Sequence, residues 1–214
     1  MVRRSGSDLI ASTASLFVLV GCGGDSGTGS VSQGSLPSKY VAPAATKDVP
    51  LVDNPEFVHW SQYPVGTAVV RKKEVSNESG SVRVTTTLRL AEKNLDKVVV
   101  ESQVTVDRPG QLVVENPPQK LEFAAAFELP QGMKPEQFAL PSLKAKLLGN
   151  ETRTACGREY QTELFTWDER NEAGPMTVTL WRSEGVPGRT LRQEVKGRTQ
   201  VSAEEIVEII EPDG

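Results

Sequence analysis

The chain has 214 residues, with 24 basic and 28 acidic side chains, a net charge of −4, two cysteines and a single histidine. An acidic balance without a basic patch gives no electrostatic footprint for nucleic acid, and Arg71-Lys72-Lys73 reads as a solvated strand end. One imidazole, His59, is too few for most zinc sites. The sequence holds no phosphate loop, no dinucleotide glycine fingerprint and no metal-ligand spacing. The acidic runs Asp168-Glu169, Glu204-Glu205 and Glu208 fall where turns and exposed strand faces want charge. The expectation is therefore a non-enzymatic protein without cofactor or metal.

Residues 1–21 carry Arg3 and Arg4, an apolar stretch from Leu9 to Val20 and a small residue at Gly21. This is the pattern of a cleaved signal peptide, too short and serine-rich to span a bilayer. Leu19-Val20-Gly21-Cys22 resembles the lipobox of bacterial lipoproteins. The resemblance implies that Cys22 becomes the new N-terminus, carrying a diacylglycerol thioether and an amide-linked acyl chain such as palmitate. One chain holds a membrane reversibly, whereas two or three hold it durably. The resemblance thus places the protein in the cell envelope, facing periplasm or cell surface. Gly23, where an aspartate would favour inner-membrane retention, leans it toward the outer membrane.

After cleavage 22 basic and 27 acidic residues remain, a net charge near −5. Residues 22–50 form the second segment. From Gly23 to Pro50 there are five Gly, five Ser and three Pro in 28 residues, too few large apolar side chains to order a core. Such a tether has a root-mean-square reach of roughly 30 Å.

Residues 51–214 suffice for one domain with one core. Asn54, Pro55, Phe57 and Trp60 give a short N-terminal helix with cap, first-turn proline and an apolar side. A strand over Thr67–Val75 and a loop over Ser76–Gly80 follow. Val82, Val84, Thr86, Leu88 and Leu90 then alternate with polar residues, as do Val98, Val100, Val104 and Val106, the period of half-buried strands. Asn94 and Asp96 mark the turn between them. Beyond the turn Arg108-Pro109-Gly110, strands are expected over Gln111–Glu115 and Lys120–Glu128, the latter with Leu121, Phe123, Ala125 and Phe127 in line. A proline-broken loop with a helical turn at Pro135–Phe138 precedes an alternating run from Arg153 to Trp167. Strands over Met176–Arg182, Arg189–Lys196 and Thr199–Ile210 complete the series, the last with some helical character from Ala203-Glu204-Glu205-Ile206. Strands without regularly alternating helices predict a mainly β fold: an antiparallel meander forming a curved sheet, half-barrel or barrel.

With Cys22 alkylated, Cys156 is the only free thiol of the mature chain. In Thr154-Ala155-Cys156-Gly157, with no histidine nearby, it reads as a buried small hydrophobe rather than a nucleophile. Trp181-Arg182-Ser183-Glu184-Gly185-Val186-Pro187-Gly188 sets Pro187 and Gly188 at the centre of a type II turn. It resembles the Trp-x-Ser-x-x-Val-Pro-Gly stretch of uncharacterised sheet-rich bacterial lipoproteins, with Arg189 where a second glycine commonly stands. That likeness implies architecture and no chemistry.

Two roles fit these residues. One is a structural or interaction lipoprotein, whose hydrated sheet face meets an envelope protein. The other is a carrier of an apolar ligand in a half-barrel, as the architecture resembles that of the lipoprotein carriers LolA and LolB. Val84, Leu88, Val100, Phe123 and Trp181 would then line the ligand. The partners expected are a membrane, through the anchor, and an apolar ligand or an envelope protein.

Overall fold

A computed structural model of the chain describes residues 51–212, apart from 78, 79, 131, 172 and 173. The expected signal peptide, Cys22 and the expected tether lie outside the described residues. Among the described residues twelve strands and two short helices follow one another, and every strand pairing is antiparallel. The large sheet runs β5(Val114–Glu115), β4(Lys97–Asp107), β3(Gly80–Lys93), β2(Ala68–Asn77), β12(Gln200–Ile210), β11(Thr190–Gly197), β10(Gly174–Arg182), β9(Arg158–Asn171), β8(Lys146–Ala155), with β6(Gln119–Ala124) also on β4. The sheet is curved and does not close into a barrel: β8 is one edge, β5 and β6 the other. Register shifts at Leu90/Glu92, Leu147/Gly149, Trp181/Arg182 and Ile206/Glu208 bend individual strands, as bulges do.

The turns have local causes. Asn94 closes the β3–β4 connection by accepting from the backbone N–H of Asp96 and Lys97 at 2.9 and 2.8 Å. Pro187 and Gly188 form the expected type II turn: the Arg189 N–H donates to the Val186 carbonyl at 2.7 Å, and Gly188 has φ +72°. The helix α1(Pro55–Trp60) is capped by the Asn54 side chain, which accepts from Glu56 N–H at 3.0 Å, and Pro55 opens its first turn. The helical turn is found as α2(Pro135–Phe138), and Gln200–Ile210 is strand throughout.

Four expectations need correction. The run Lys120–Glu128 is two strands, because the chain breaks at Ala125, whose N–H donates to the Asp96 carbonyl and whose carbonyl accepts from Asn54 N–H. Beyond the break β7(Ala126–Glu128) leaves the large sheet to pair with β1(Leu51–Asp53), a strand without a sequence signal. The run Arg153–Trp167 is not continuous either: Cys156 and Gly157, at φ +50° and +74°, turn β8 back into β9. Cys156 is consequently exposed at a hairpin tip rather than buried. The strand expected over Gln111–Glu115 shrinks to Val114–Glu115, while Leu112 and Val113 stay exposed.

A residue with a side chain is strained at φ +50°, and asparagine tolerates that region far better than cysteine. Cys156→Asn is therefore expected to raise stability by about 0.5–1 kcal/mol, read as a higher urea midpoint; an unchanged or lower midpoint would contradict the turn assignment.

Candidate functional site

Register fixes which side chains share a face, because directly paired residues point the same way. Leu180, Gln193, Glu204, Lys73, Val84, Val106 and Val114 form one unbroken row of partners across the sheet. Phe165 and Leu147 extend it to the β8 edge. A neighbouring row runs Trp167, Val178, Val195, Ser202, Val75, Val82 on the same face. This is the inward face, which the remaining elements cover at its two ends.

At one end α1 and the loop after β10 lie on it. Trp60, Val186, Leu191 and Tyr160 pack there with Val69, Leu90, Val98, Val100 and Ile206, and Leu88, Leu121 and Phe123 close in at their margin. At the other end Phe165, Trp167, Val178 and Leu180 make a second cluster, against which Ala145 and Val195 pack. The α2 segment has contacts toward both ends: Arg182 donates to the Ala139 carbonyl, and Phe138 meets Phe127 of β7, the strand paired with β1 ahead of α1, edge to face at 4.7 Å. Between the clusters Val75, Val82, Val84 and Thr86 stay half-buried, and at the edges Leu147 and Val114 are 55% and 47% exposed. An apolar strip, interrupted by Gln193, Glu204, Lys73 and Arg71, therefore reaches from edge to edge with its middle partly open.

Of the five residues expected to line a ligand, four share this face. Val84 and Leu88 alternate along β3, and Val100 and Phe123 stand in rows with Leu90 and Val98. Val100 is 1% exposed and belongs to the packed end, so only Val84, Leu88 and Phe123 are partly accessible. Trp181 stands apart from them. It pairs with Arg192, which pairs with Glu205, which pairs with Lys72, a row on the opposite, outward face. There its indole Nε1 donates to Glu151 at 2.6 Å, and the Arg153 guanidinium lies 4.2 Å from the ring centroid. Charge dominates that outward row, where Arg192 reaches Glu205 at 2.7 Å and Glu194 at 2.9 Å.

Sequence reasoning passed over the polar junction beneath the β10–β11 loop. His59 is fully buried; its Nε2 lies 2.8 Å from the Val186 carbonyl and its Nδ1 3.3 Å from Glu184. Glu184 also meets Arg182 at 3.1 Å and Arg189 at 3.6 Å, and Arg189 donates to the Pro55 carbonyl of α1. Partners 127 residues apart leave no local pattern to read. The junction latches α1 to the loop: the Arg189 side chain bonds α1 while its backbone holds φ +59°.

Burial holds His59 below its usual 6.5 and Arg189 adds to this, against the pull of Val186 and Glu184 in the other direction. Burial pushes the Glu184 carboxyl up, but Arg189 and Arg182 outweigh it and leave it below 4.5. A base with a lowered folded pKa binds more protons when unfolded, so its contribution is fully present above 6.5 and declines as pH falls below. Glu184 acts in the same sense at lower pH: its contribution holds above 4.5 and fades as pH falls through its folded value. The urea midpoint should therefore drop between about pH 7 and about pH 5, and His59→Gln should flatten that segment of the profile; a midpoint rising toward acid would contradict the assignment.

No family model and no curated protein matches the chain. Among solved structures it is similar to a lipoprotein candidate from Parabacteroides distasonis, at 11% identity and TM-score 0.41, over 69% of this chain and 96% of that one. It is also similar to the lipoprotein LppX from Mycobacterium tuberculosis, at 9% identity and TM-score 0.34, over 74% of this chain and 93% of that one. A candidate outer membrane lipoprotein-sorting domain from Vibrio parahaemolyticus is similar at 6% identity and TM-score 0.25, over 70% and 86%. Likenesses this distant carry no argument about role.

Proposed function

We propose that the protein is a bacterial envelope lipoprotein, held to a membrane through acyl chains on Cys22, which binds an elongated apolar ligand along the inward face of its open sheet. The observation that carries the reading is the apolar strip of the inward face, crossed by Gln193, Glu204 and Lys73, which is only half-buried at Val75, Val82, Val84 and Leu88. A sheet whose two faces both met solvent would not place alternating valines there, and a filled core would cover them. The open β8 edge, where Leu147 continues the strip, is the natural side for entry. The other expected role, an interaction module for an envelope protein, draws on the exposed Leu112 and Val113 at the opposite edge.

The mature chain 22–214 with Cys22→Ser, stripped of lipid, is the material for the test. Titration with an uncharged fluorescent probe, the methyl ester of a conjugated long-chain fatty acid, should give saturable enhancement at one site. Val84→Trp, which fills the middle of the strip, should weaken it at least tenfold. No saturable binding by the wild-type face would contradict the carrier reading and leave the interaction module.

A further inference from the structure

We propose that the inward face also holds a site for an anionic headgroup, anchored by Arg71, so that the apolar ligand inferred above is an amphiphile ending in a carboxylate or phosphate; the proposal rests on that reading of the face. Arg71 stands in β2 between Ile206 of β12 and Thr86 of β3, and Thr86 in turn faces Val104. Its surroundings are thus apolar, apart from one threonine, along the whole row. Its Nη2 donates to the Gly188 carbonyl at 3.1 Å, and its Nε is buried without a hydrogen-bond partner. Among the described residues no carboxylate comes within ion-pair distance of it; Glu204 and Glu56 act on it only from farther away.

Arg71 is half-buried as a residue, but its Nε is shut from water without a partner, and a charged guanidinium left short of hydrogen bonds is costly. A bound anion removes that cost. The planar fork of N–H donors matches a carboxylate or phosphate, and Arg71 has used only one nitrogen on the protein. The turn lies close over the group: a Cβ at Gly188 would stand 2.7 Å from Arg71 Nη2 and 3.3 Å from the Trp60 ring, while the φ of +72° is what calls for glycine there. Arg71 sits at the margin of the packed end, and the half-buried Val84 and Leu88 stand two residues to either side of its partner Thr86 on the adjoining strand. A headgroup at Arg71 therefore leaves its chain along the strip.

The test compares charged and uncharged ligands of one chain length on the lipid-stripped mature chain with Cys22→Ser: the conjugated fatty acid against its methyl ester, and a monoacylglycerol phosphate against the monoacylglycerol. The acid or the phosphate should bind between about tenfold and about a hundredfold more tightly than its uncharged counterpart. Preference for one of the two identifies the headgroup. Arg71→Gln should abolish the difference while retaining the ester affinity, and Arg71→Lys should keep part of it, with urea midpoints confirming that both variants fold. Equal wild-type affinity for acid and ester, and for phosphate and alcohol, would overturn the headgroup site and leave the carrier reading standing, whether or not the variants fold. A preference that survives Arg71→Gln would overturn it too. Failure of every probe to bind overturns both.

Discussion

Replacing Cys22 by serine should move the protein from the membrane fraction to the soluble fraction of the envelope and abolish its labelling by radioactive palmitate. The argument is one of chain number. A single acyl chain binds a bilayer with an association constant of only about 10⁴ M⁻¹, whereas each further buried methylene adds about 0.8 kcal/mol, so two or three chains make release negligible. No helix of the described residues is long and apolar enough to cross a membrane, so none of them offers a helical span in place of the lipid. The two fractions should therefore differ almost completely between wild type and variant. A Cys22→Ser protein that stayed with the membrane, or a wild type that took up no palmitate, would refute the anchor and leave an exported domain.

Trp60→Ala should cost about 3–5 kcal/mol, a large share of the roughly 5–15 kcal/mol that holds a domain together. Trp60 is 2% exposed at the end of α1 and packs against the inward face with Val69, Leu90, Val186 and Ile206. Its removal leaves a cavity that rigid neighbours on three strands and a loop cannot fill by collapsing. It also takes away the wall beside Gly188 and Arg71, so loss of stability and loss of headgroup preference should go together. Urea unfolding measures the first. A cost under about 1 kcal/mol would mean that α1 does not seal this end of the sheet.

The strands were legible because one face is dry and the other wet. Valines at 82, 84, 98, 100, 104 and 106 report that asymmetry residue by residue, and Asn94 and Pro187-Gly188 report turns whose chemistry is local. What escaped is what periodicity cannot see. Leu121, Phe123, Ala125 and Phe127 alternate straight through the point where the chain passes from one sheet to another, since the break at Ala125 depends on Asp96 and Asn54 elsewhere. Cysteine is no turn former, so the Cys156-Gly157 hairpin was hidden inside an alternating run.

The site was half legible for a related reason. Alternation alone groups Val84 with Leu88 and Val100, but whether Trp181 joins them depends on counting partners across six strands. The count sends it to the outward face. Arg71 was read as part of a solvated strand end because its neighbours Lys72 and Lys73 are charged. Period two in fact splits the three: Lys72 faces outward, and Arg71 and Lys73 face in. The buried position of His59 needed Val186, far along the chain, to be recognised.

Native mass spectrometry of the wild-type protein, released gently from the bacterial envelope in which it was expressed, tests the central claim most directly. Beyond the mass of the triacylated chain the account predicts one further noncovalent adduct of lipid size, which is lost on activation in the gas phase and is depleted in Val84→Trp. A wild-type spectrum containing only the lipidated protein, obtained under conditions that preserve the adduct of a known carrier, would contradict it.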